Sequence, residues 1–170
     1  MKRLYFIRHG ESQFNKEKRF AGRTDTPLTD EGQKQAKKAG EDAKKLQIDL
    51  IVSSPLSRAY ETAGIIATEI GYPKASIKIN PLLIERDYGS LSGQVWSPDI
   101  DMDGIADIET AESLIKRGSE ALASLRQIEV DNVLVVSHGS IGGAIRHHLL
   151  KDFPFEDEDG IPNAEIVQWI

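Results

Sequence analysis

The chain of 170 residues contains no cysteine. Without thiols it cannot form disulfides or thiolate metal sites, and it cannot use a cysteine nucleophile. This absence excludes the cysteine-dependent phosphatases and proteases. Covalent catalysis would need a serine, threonine, histidine, lysine or carboxylate side chain.

Long apolar runs and an excess of positive charge are also missing. No run approaches the roughly 20 residues of a membrane span. Met1-Lys2-Arg3 precedes only four apolar residues, too few for the core of a signal peptide. The formal net charge of −6 does not favour nucleic acid or an anionic membrane as a partner. We therefore expect a cytoplasmic protein with no nucleic-acid or membrane partner.

The length suits one domain spanning residues 1–170, because single domains have roughly 50–250 residues. Charge is divided unevenly, with a net +4 over residues 1–85 and a net −10 over residues 86–170. We expect any anion-binding site to lie mainly in the first half. Residues 86–110 are rich in glycine, proline and acidic residues, which predicts an irregular lid or insertion there.

Apolar runs bounded by charged or turn residues predict buried strands, and apolar residues at helical spacing predict helices between them. Strands are predicted at Leu4–Ile7, Leu50–Val52, Ile77–Ile79, Val133–Val136 and Ile166–Trp169. Helices are predicted from Thr29 to about Leu46, from an N-cap at Ser54 with Pro55 in the first turn to Gly71, around Leu114–Leu125, and over residues 141–150. This alternation indicates an α/β sandwich with a mostly parallel central sheet.

Polar residues follow three of the predicted strands directly. Arg8-His9-Gly10 follows the first strand, Ser53-Ser54 follows the second, and His138-Gly139 follows the fourth. In a parallel sheet these strand ends meet at one edge, where ligands bind. Arg58, in the helix after the second strand, would join them, and guanidinium groups match phosphate oxygens. The pattern predicts a phosphate pocket that contains imidazole groups.

The motifs that carry this pattern resemble the histidine phosphatase superfamily, in its phosphoglycerate mutase-like branch. The matching segments occur in the family's order along nearly the whole chain: Arg8-His9-Gly10-Glu11-Ser12 with Asn15, Pro27-Leu28-Thr29, Ser53 to Ala59 with Thr62-Ala63, Glu85 with Gly89, and Ser137-His138-Gly139. The resemblance implies a three-layer α/β/α sandwich and phosphoryl transfer through a phosphohistidine.

By this resemblance His9 is the nucleophile, and it must be neutral to attack phosphorus. The charges of Arg8 and Arg58 would disfavour its imidazolium form. These arginines and His138 would neutralise the transferring phosphoryl group in place of a metal ion, so that no cofactor is needed. Glu85 would protonate the leaving group and later deprotonate water, with Asp87 as a possible contributor or substitute.

The remaining positions implied for phosphate binding are neutral. Asn15 would act as a donor, and Ser12, Ala21, Gly22 and Gly139 complete the set. Where mutases of the family carry Thr-Gly, this chain has Ala21-Gly22. The expected partner is a small-molecule phosphomonoester or a phosphoprotein.

Three functions remain open at this point. The first is hydrolysis of a phosphomonoester, which we favour because residues 87–115 contain no lysine or arginine and several acidic residues. An acidic cover of this kind opposes multiply charged substrates. The Pro162-Asn163-Ala164 turn also resembles the phosphatase members. The second is a phosphoglycerate mutase or related phosphomutase, and the third is a non-catalytic module that binds phosphate or phosphoprotein.

Two further patterns suggest metal sites only weakly. His147 and His148 are adjacent on a predicted helix and point about 100° apart, so surface histidines are expected. Asp99-x-Asp101-x-Asp103-Gly104 with Asp107 matches the start of a calcium loop, but its twelfth position is Thr110 instead of a glutamate. We expect a solvated acidic loop here, and Glu156–Asp159 forms a second short acidic run.

Overall fold

The computed structural model describes residues 1–150 and 160–170. It contains one five-stranded sheet in the order β3-β2-β4-β1-β5. The strands are β1 (Arg3–Arg8), β2 (Leu50–Ser53), β3 (Lys78–Ile79), β4 (Asn132–Ser137) and β5 (Ile166–Gln168). The first four are parallel, and β5 runs antiparallel beside β1. The prediction of a mostly parallel sheet is therefore confirmed.

Five α-helices accompany the sheet in the described part of the chain. They are α1 (Gln13–Lys16), α2 (Asp30–Ala43), α3 (Ser57–Glu69), α4 (Ala111–Arg126) and α5 (Gly139–Leu149). As predicted, Thr29 caps α2, and its hydroxyl accepts a hydrogen bond from the Gly32 N–H at 3.0 Å. Helix α5 begins two residues earlier than predicted, directly after His138.

The helices form two layers because alternate residues of each strand face opposite sides of the sheet. One face of β1, β2 and β4 packs with α4 and α5 around Phe6, Val52 and Val135. The other face packs with α2 and α3 around Ile7, Ile51 and Leu134. All six residues of β4 are buried, which explains its uninterrupted apolar sequence. The three-layer α/β/α sandwich is confirmed.

The predicted start of the helix after the second strand was wrong. Helix α3 begins at Ser57 with Leu56 as the N-cap, and Ser54 does not cap it. The hydroxyl of Ser54 is buried beside His138, and the Ser57 N–H instead donates to Asp25 Oδ1 at 2.9 Å. A capping group supplied by a distant loop leaves no local sequence signal.

The predicted lid, residues 86–110, contains two short 3₁₀ helices (Gly89–Leu91 and Met102–Gly104). Its residue Val95 pairs with Arg19 in an isolated antiparallel bridge, and Phe20, Leu91 and Ile108 form a small apolar cluster. Asp99, Asp101 and Asp107 are exposed. The lid is thus attached to the loop after α1. The acidic run Glu156–Asp159 lies outside the described residues.

The loop after β1 packs tightly on the start of α2. A Cβ atom on Gly32 would overlap the carbonyl oxygen of Glu11, and one on Gly10 would overlap that of Gly32. Only glycine permits this approach, which holds His9 at the end of β1. Among the described residues, no helix is long and apolar enough to cross a membrane.

Candidate active site

The carboxyl ends of β1, β4 and β2 bring His9, His138 and Ser54 together. Although 129 positions separate the two histidines in the sequence, their ring centroids lie 5.1 Å apart. Both side chains are almost completely buried. The meeting of these strand ends, predicted from the sequence, is confirmed by the sheet order.

The hydrogen bonds of His9 define its tautomer. Its Nδ1 lies 2.7 Å from the Gly10 carbonyl oxygen, which can only accept, so Nδ1 carries the hydrogen. Its Nε2 then carries a lone pair, which accepts from Arg58 Nε at 3.1 Å. Burial, together with the charges of Arg58 and Arg8, holds the pKa of His9 well below its ordinary value of 6.5. The ring is therefore neutral near pH 7, with Nε2 free of a proton.

Arg58 is among the largest fully buried side chains of the described residues, with 1% of its surface exposed. Besides Nε, its Nη1 donates to the Thr24 carbonyl oxygen at 2.9 Å, and its Nη2 donates to that of Gly22 at 2.7 Å. These bonds offset the cost of burying the charge. They also attach the loop that contains Ala21 and Gly22 to the histidine.

Arg8 lines the same cavity as His9, and its charge helps to lower the pKa of the imidazole. Its Nη1 donates to the Ile161 carbonyl oxygen at 2.8 Å, and its buried Nε has no partner in the structure. A Cβ on Gly139 would lie 3.7 Å from the guanidinium carbon of Arg8, so the first residue of α5 lies close to the charge. The charges of two guanidinium groups thus act on one neutral imidazole.

Glu85 reaches the same place from the loop after β3. Its Oε1 accepts from the Arg86 N–H at 2.8 Å and the Ile141 N–H at 3.1 Å, and its Oε2 accepts from the Ser140 N–H at 3.2 Å. Two of these donors belong to the first turn of α5, where backbone N–H groups lack helical partners. Asp87, the predicted alternative to Glu85, does not line the cavity around His9. Its Oδ1 accepts a hydrogen bond from the Gly89 N–H.

His138 and Ser12, both predicted to bind phosphate, are fully buried and do not line the cavity. His138 Nε2 lies 2.7 Å from Ser54 Oγ, while its Nδ1 has no partner in the structure. Burial and the neighbouring His9 and arginine charges hold the pKa of His138 well below 6.5. Ser12 forms a capping box with Asn15, whose Oδ1 accepts from the Ser12 N–H at 3.0 Å.

The other predicted residues line one cavity of about 720 Å³: Arg8, His9, Asn15, Ala21, Gly22, Arg58, Glu85 and Gly139. Lys18, Arg19 and Arg146, which the sequence analysis did not single out, line it as well. Of the described lining residues, Glu85 is the single carboxylate. The described lid residues that line the cavity are uncharged: Tyr88, Trp96, Ser97, Pro98, Ile100 and Met102. The expectation of an acidic cover was therefore wrong for the described residues.

A second group of charges, also missed by the sequence analysis, holds the chain at Glu85. Arg117 and Glu109 form a two-point ion pair, with Nε to Oε1 at 2.9 Å and Nη2 to Oε2 at 2.8 Å. The same guanidinium donates to the carbonyl oxygens of Leu82 at 2.9 Å and Ile84 at 2.5 Å. It draws the pKa of Glu109 below its ordinary value despite partial burial, which acts in the opposite direction.

The donor set of the cavity suits an anion, because four guanidinium groups line it and only one carboxylate does among the described residues. Over residues 1–150 and 160–170, no group of three or more histidine or acidic side chains is placed to hold a metal ion. His148, expected at the surface, is half-buried, and its Nε2 lies 2.8 Å from the Ile115 carbonyl oxygen. Fold and site define an α/β protein that places a neutral imidazole and two arginines in one cavity.

Comparisons with known proteins agree with this class. The profile of the histidine phosphatase superfamily (branch 1) matches residues 4–168, and the chain belongs to this family. A protein of Citrobacter koseri named "Probable phosphoglycerate mutase GpmB" is 37% identical over 160 residues, covering 85% of this chain and 73% of its own length. A 2,3-bisphosphoglycerate-dependent phosphoglycerate mutase of Parvibaculum lavamentivorans is 34% identical, covering 81% and 74%.

Solved structures with the same fold include proteins named as phosphatases. A mycobacterial glucosyl-3-phosphoglycerate phosphatase superposes with a TM-score of 0.83 at 29% identity, covering 99% of this chain and 92% of its own. A phosphoserine phosphatase of Entamoeba histolytica, solved with phosphoserine, superposes with a TM-score of 0.81 at 26% identity, covering 99% and 90%. The relatives are thus named both as mutases and as phosphatases.

Proposed function

We propose that the protein hydrolyses phosphomonoesters through a phosphohistidine on His9, without a metal ion. The observation that carries the proposal is the neutral ring of His9, whose Nε2 lone pair accepts from Arg58 in a cavity that Arg8 also lines. A neutral imidazole is a nucleophile, and two flanking cations stabilise the charge of the transferring phosphoryl group.

In the first step, the phosphate of the substrate binds between the two guanidinium groups. Arg58 Nε–H then shifts its hydrogen bond from His9 to a phosphoryl oxygen, which frees the lone pair. His9 Nε2 forms a bond to phosphorus while the ester P–O bond breaks, and a proton from Glu85 goes to the leaving alkoxide. The Nδ1–H bond to the Gly10 carbonyl stabilises the positive charge that develops on the ring.

In the second step, water takes the place of the alcohol. The Glu85 carboxylate accepts a proton from this water, whose oxygen attacks phosphorus as the P–N bond breaks, and inorganic phosphate leaves. Asn15 adds a neutral donor, because its Oδ1 faces Ser12 while the side chain lines the cavity. His138 contributes from behind His9, against which its ring packs.

The first experiment measures release of 4-nitrophenol from 4-nitrophenyl phosphate in the presence of EDTA. We expect turnover by the wild type and at least a 1000-fold loss in His9→Ala, since no other described nucleophile occupies the position. His147→Ala, outside the cavity, serves as the matched control and should retain activity. Turnover that survives in His9→Ala contradicts the mechanism.

A second experiment uses Glu85→Gln to trap the intermediate. The 4-nitrophenolate anion leaves without a proton, so phosphorylation of His9 continues while activation of water fails. The variant should accumulate acid-labile phosphate on His9, which a binding module would not do. Absence of this phosphate in both the wild type and the variant refutes the covalent pathway.

A mutase is the second candidate, because curated relatives at 34–37% identity are named as phosphoglycerate mutases. Such an enzyme must transfer the phosphoryl group to a second bound acceptor more often than to water. The assay compares formation of 2-phosphoglycerate from 3-phosphoglycerate, with added 2,3-bisphosphoglycerate, against release of inorganic phosphate. Hydrolysis should exceed transfer, and the opposite ratio would favour the mutase.

A further inference from the structure

The cavity is much larger than a phosphate group, and its outer wall has a defined structure. Residues 18–20 and 93–96, which we call the rim, run antiparallel: the Phe20 N–H donates to the Gln94 carbonyl at 2.9 Å, and the Trp96 N–H donates to the Lys18 carbonyl at 2.7 Å. Arg19 secures the rim, because its Nη1 donates to the Gly93 carbonyl at 2.7 Å and its Nε pairs with Glu17. Lys18 and Trp96 are therefore held side by side.

Lys18 carries a positive charge at this rim that has no role in the proposed reaction at His9. Its side chain is exposed and lines the cavity, and no acceptor among the described residues pairs with its ammonium group. Its backbone has a φ of 54°, a left-handed conformation that side chains other than glycine and asparagine adopt at a cost. Strained positions of this kind collect at binding sites, where the surrounding structure holds them.

Apolar surface adjoins this charge. Trp96 is 54% exposed, a large value for the largest aromatic side chain, and it lines the cavity together with Phe20, Ile100 and Met102. A ligand that reaches the rim from Arg8 and Arg58 thus meets an aromatic and aliphatic wall first and an ammonium group beside it. An organic body with an apolar face and a carboxylate complements both features.

We propose that the rim is the leaving-group subsite, and that it selects phosphomonoesters whose alcohol part is an apolar or aromatic body bearing a carboxylate. Trp96 contacts the body, and Lys18 pairs with the carboxylate. The inference rests on the proposed hydrolysis at His9 and adds the substrate class. It reverses the expectation from the sequence, in which acidic lid residues exclude additional negative charge.

The test uses two aryl phosphates that differ in one charge: 3-(4-phosphooxyphenyl)propanoate and its propanamide. Their phenol leaving groups have nearly the same basicity, because two methylene groups insulate the ring. The wild type should prefer the acid over the amide in kcat/KM by about five-fold, the upper size of an ion pair made by an exposed ammonium group. Equal values for the acid and the amide would overturn the proposal.

Three variants locate the charge. Lys18→Gln should lose the preference for the acid while its turnover of the amide changes little, and Lys18→Arg should keep it. Lys16→Gln, two residues away and outside the cavity, changes the net charge of the protein equally and should keep the preference. If Lys16→Gln loses the preference as fully as Lys18→Gln, a long-range field is responsible and the subsite is refuted.

Trp96→Ala tests the apolar wall. It should weaken both aryl esters by about ten-fold and leave inhibition by inorganic phosphate unchanged, because phosphate occupies only the inner end of the cavity. Binding of the acid and the amide to His9→Ala, measured by calorimetry, separates the two proposals. Tighter binding of the acid without turnover by the wild type would support the subsite and refute hydrolysis, whereas turnover without discrimination would refute the subsite alone.

Discussion

The two buried histidines should make the stability of the protein fall steeply as the pH drops below neutrality. His9 and His138 are neutral in the folded protein, because burial and the neighbouring arginines hold both pKa values well below 6.5. In the unfolded chain each ring regains an ordinary pKa of about 6.5. The unfolded state therefore binds more protons below that pH, and protonation favours unfolding.

The expected magnitude follows from the ordinary pKa alone as long as both folded values stay below the window. Between pH 7.5 and pH 5.5, proton binding by one unfolded histidine shifts the folding equilibrium about ten-fold toward the unfolded state. This factor corresponds to about 1.4 kcal/mol. The pair should therefore lower the free energy of unfolding by about 2.7 kcal/mol, a large share of the typical 5–15 kcal/mol. The carboxyl of Glu109 titrates below this window, because its pKa is lowered from 4.5.

Urea denaturation followed by circular dichroism at pH 7.5, 6.5 and 5.5 measures the effect. The buffers should contain neither phosphate nor sulfate, because anions bound to the folded state add stability of their own. His138→Gln keeps a polar atom toward Ser54 and removes one titrating ring, so its pH dependence should be smaller by about 1.4 kcal/mol over the same window. A variant with the same pH dependence as the wild type would refute a depressed pKa at His138.

Three further predictions concern positioning and packing. Arg117→Met should lower kcat more than ten-fold, because it releases the chain segment that positions Glu85. In a Glu85→Gln background the same substitution should have almost no further effect on kcat. A loss that persists in that background would indicate a purely structural defect instead. Gly32→Ala should reduce the free energy of unfolding by about 1–3 kcal/mol, because the new Cβ overlaps the loop after β1. The control Gly64→Ala meets only ordinary van der Waals contacts and should be neutral or stabilising. Equal urea midpoints for the two variants would refute the prediction. Arg58→Lys should lower kcat/KM at least 100-fold because one ammonium cannot replace three N–H contacts, and activity near wild type would contradict that role.

Some parts of the fold follow from local patterns. The apolar run of β4 is uninterrupted because the strand is buried on both faces, and the sequence reveals this directly. Thr29 caps α2 through its own hydroxyl, three residues from the N–H that it accepts, so a short sequence window contains the whole signal. Helix α3 is different, since its first free N–H is bound by Asp25 from another loop.

The site shows the same division. The motif at the end of β1 and its counterpart after β4 identified His9 and His138 as neighbours, because parallel strands end at one edge of the sheet. The support of Glu85 by Arg117 and Glu109 could not be predicted, because one guanidinium joins carbonyl groups and a carboxylate from separate segments. The acidic cover was predicted wrongly for a similar reason: among the described lid residues, apolar side chains line the cavity, and the exposed Asp99, Asp101 and Asp107 do not.

The sequence by itself determined the family and the order of strands and helices, and it led to the proposal that His9 is the nucleophile. The absence of cysteine excluded thiolate nucleophiles, and the resemblance to the histidine phosphatases implied that His9 carries the phosphoryl group. Only the tertiary structure decided which atoms of these residues are available. Hydrogen bonds to the Gly10 carbonyl and from Arg58 place the hydrogen of His9 on Nδ1 and the lone pair on Nε2. Packing buries His138 completely. Tautomer, burial and the lining of a cavity depend on contacts between distant segments, and no local pattern encodes them.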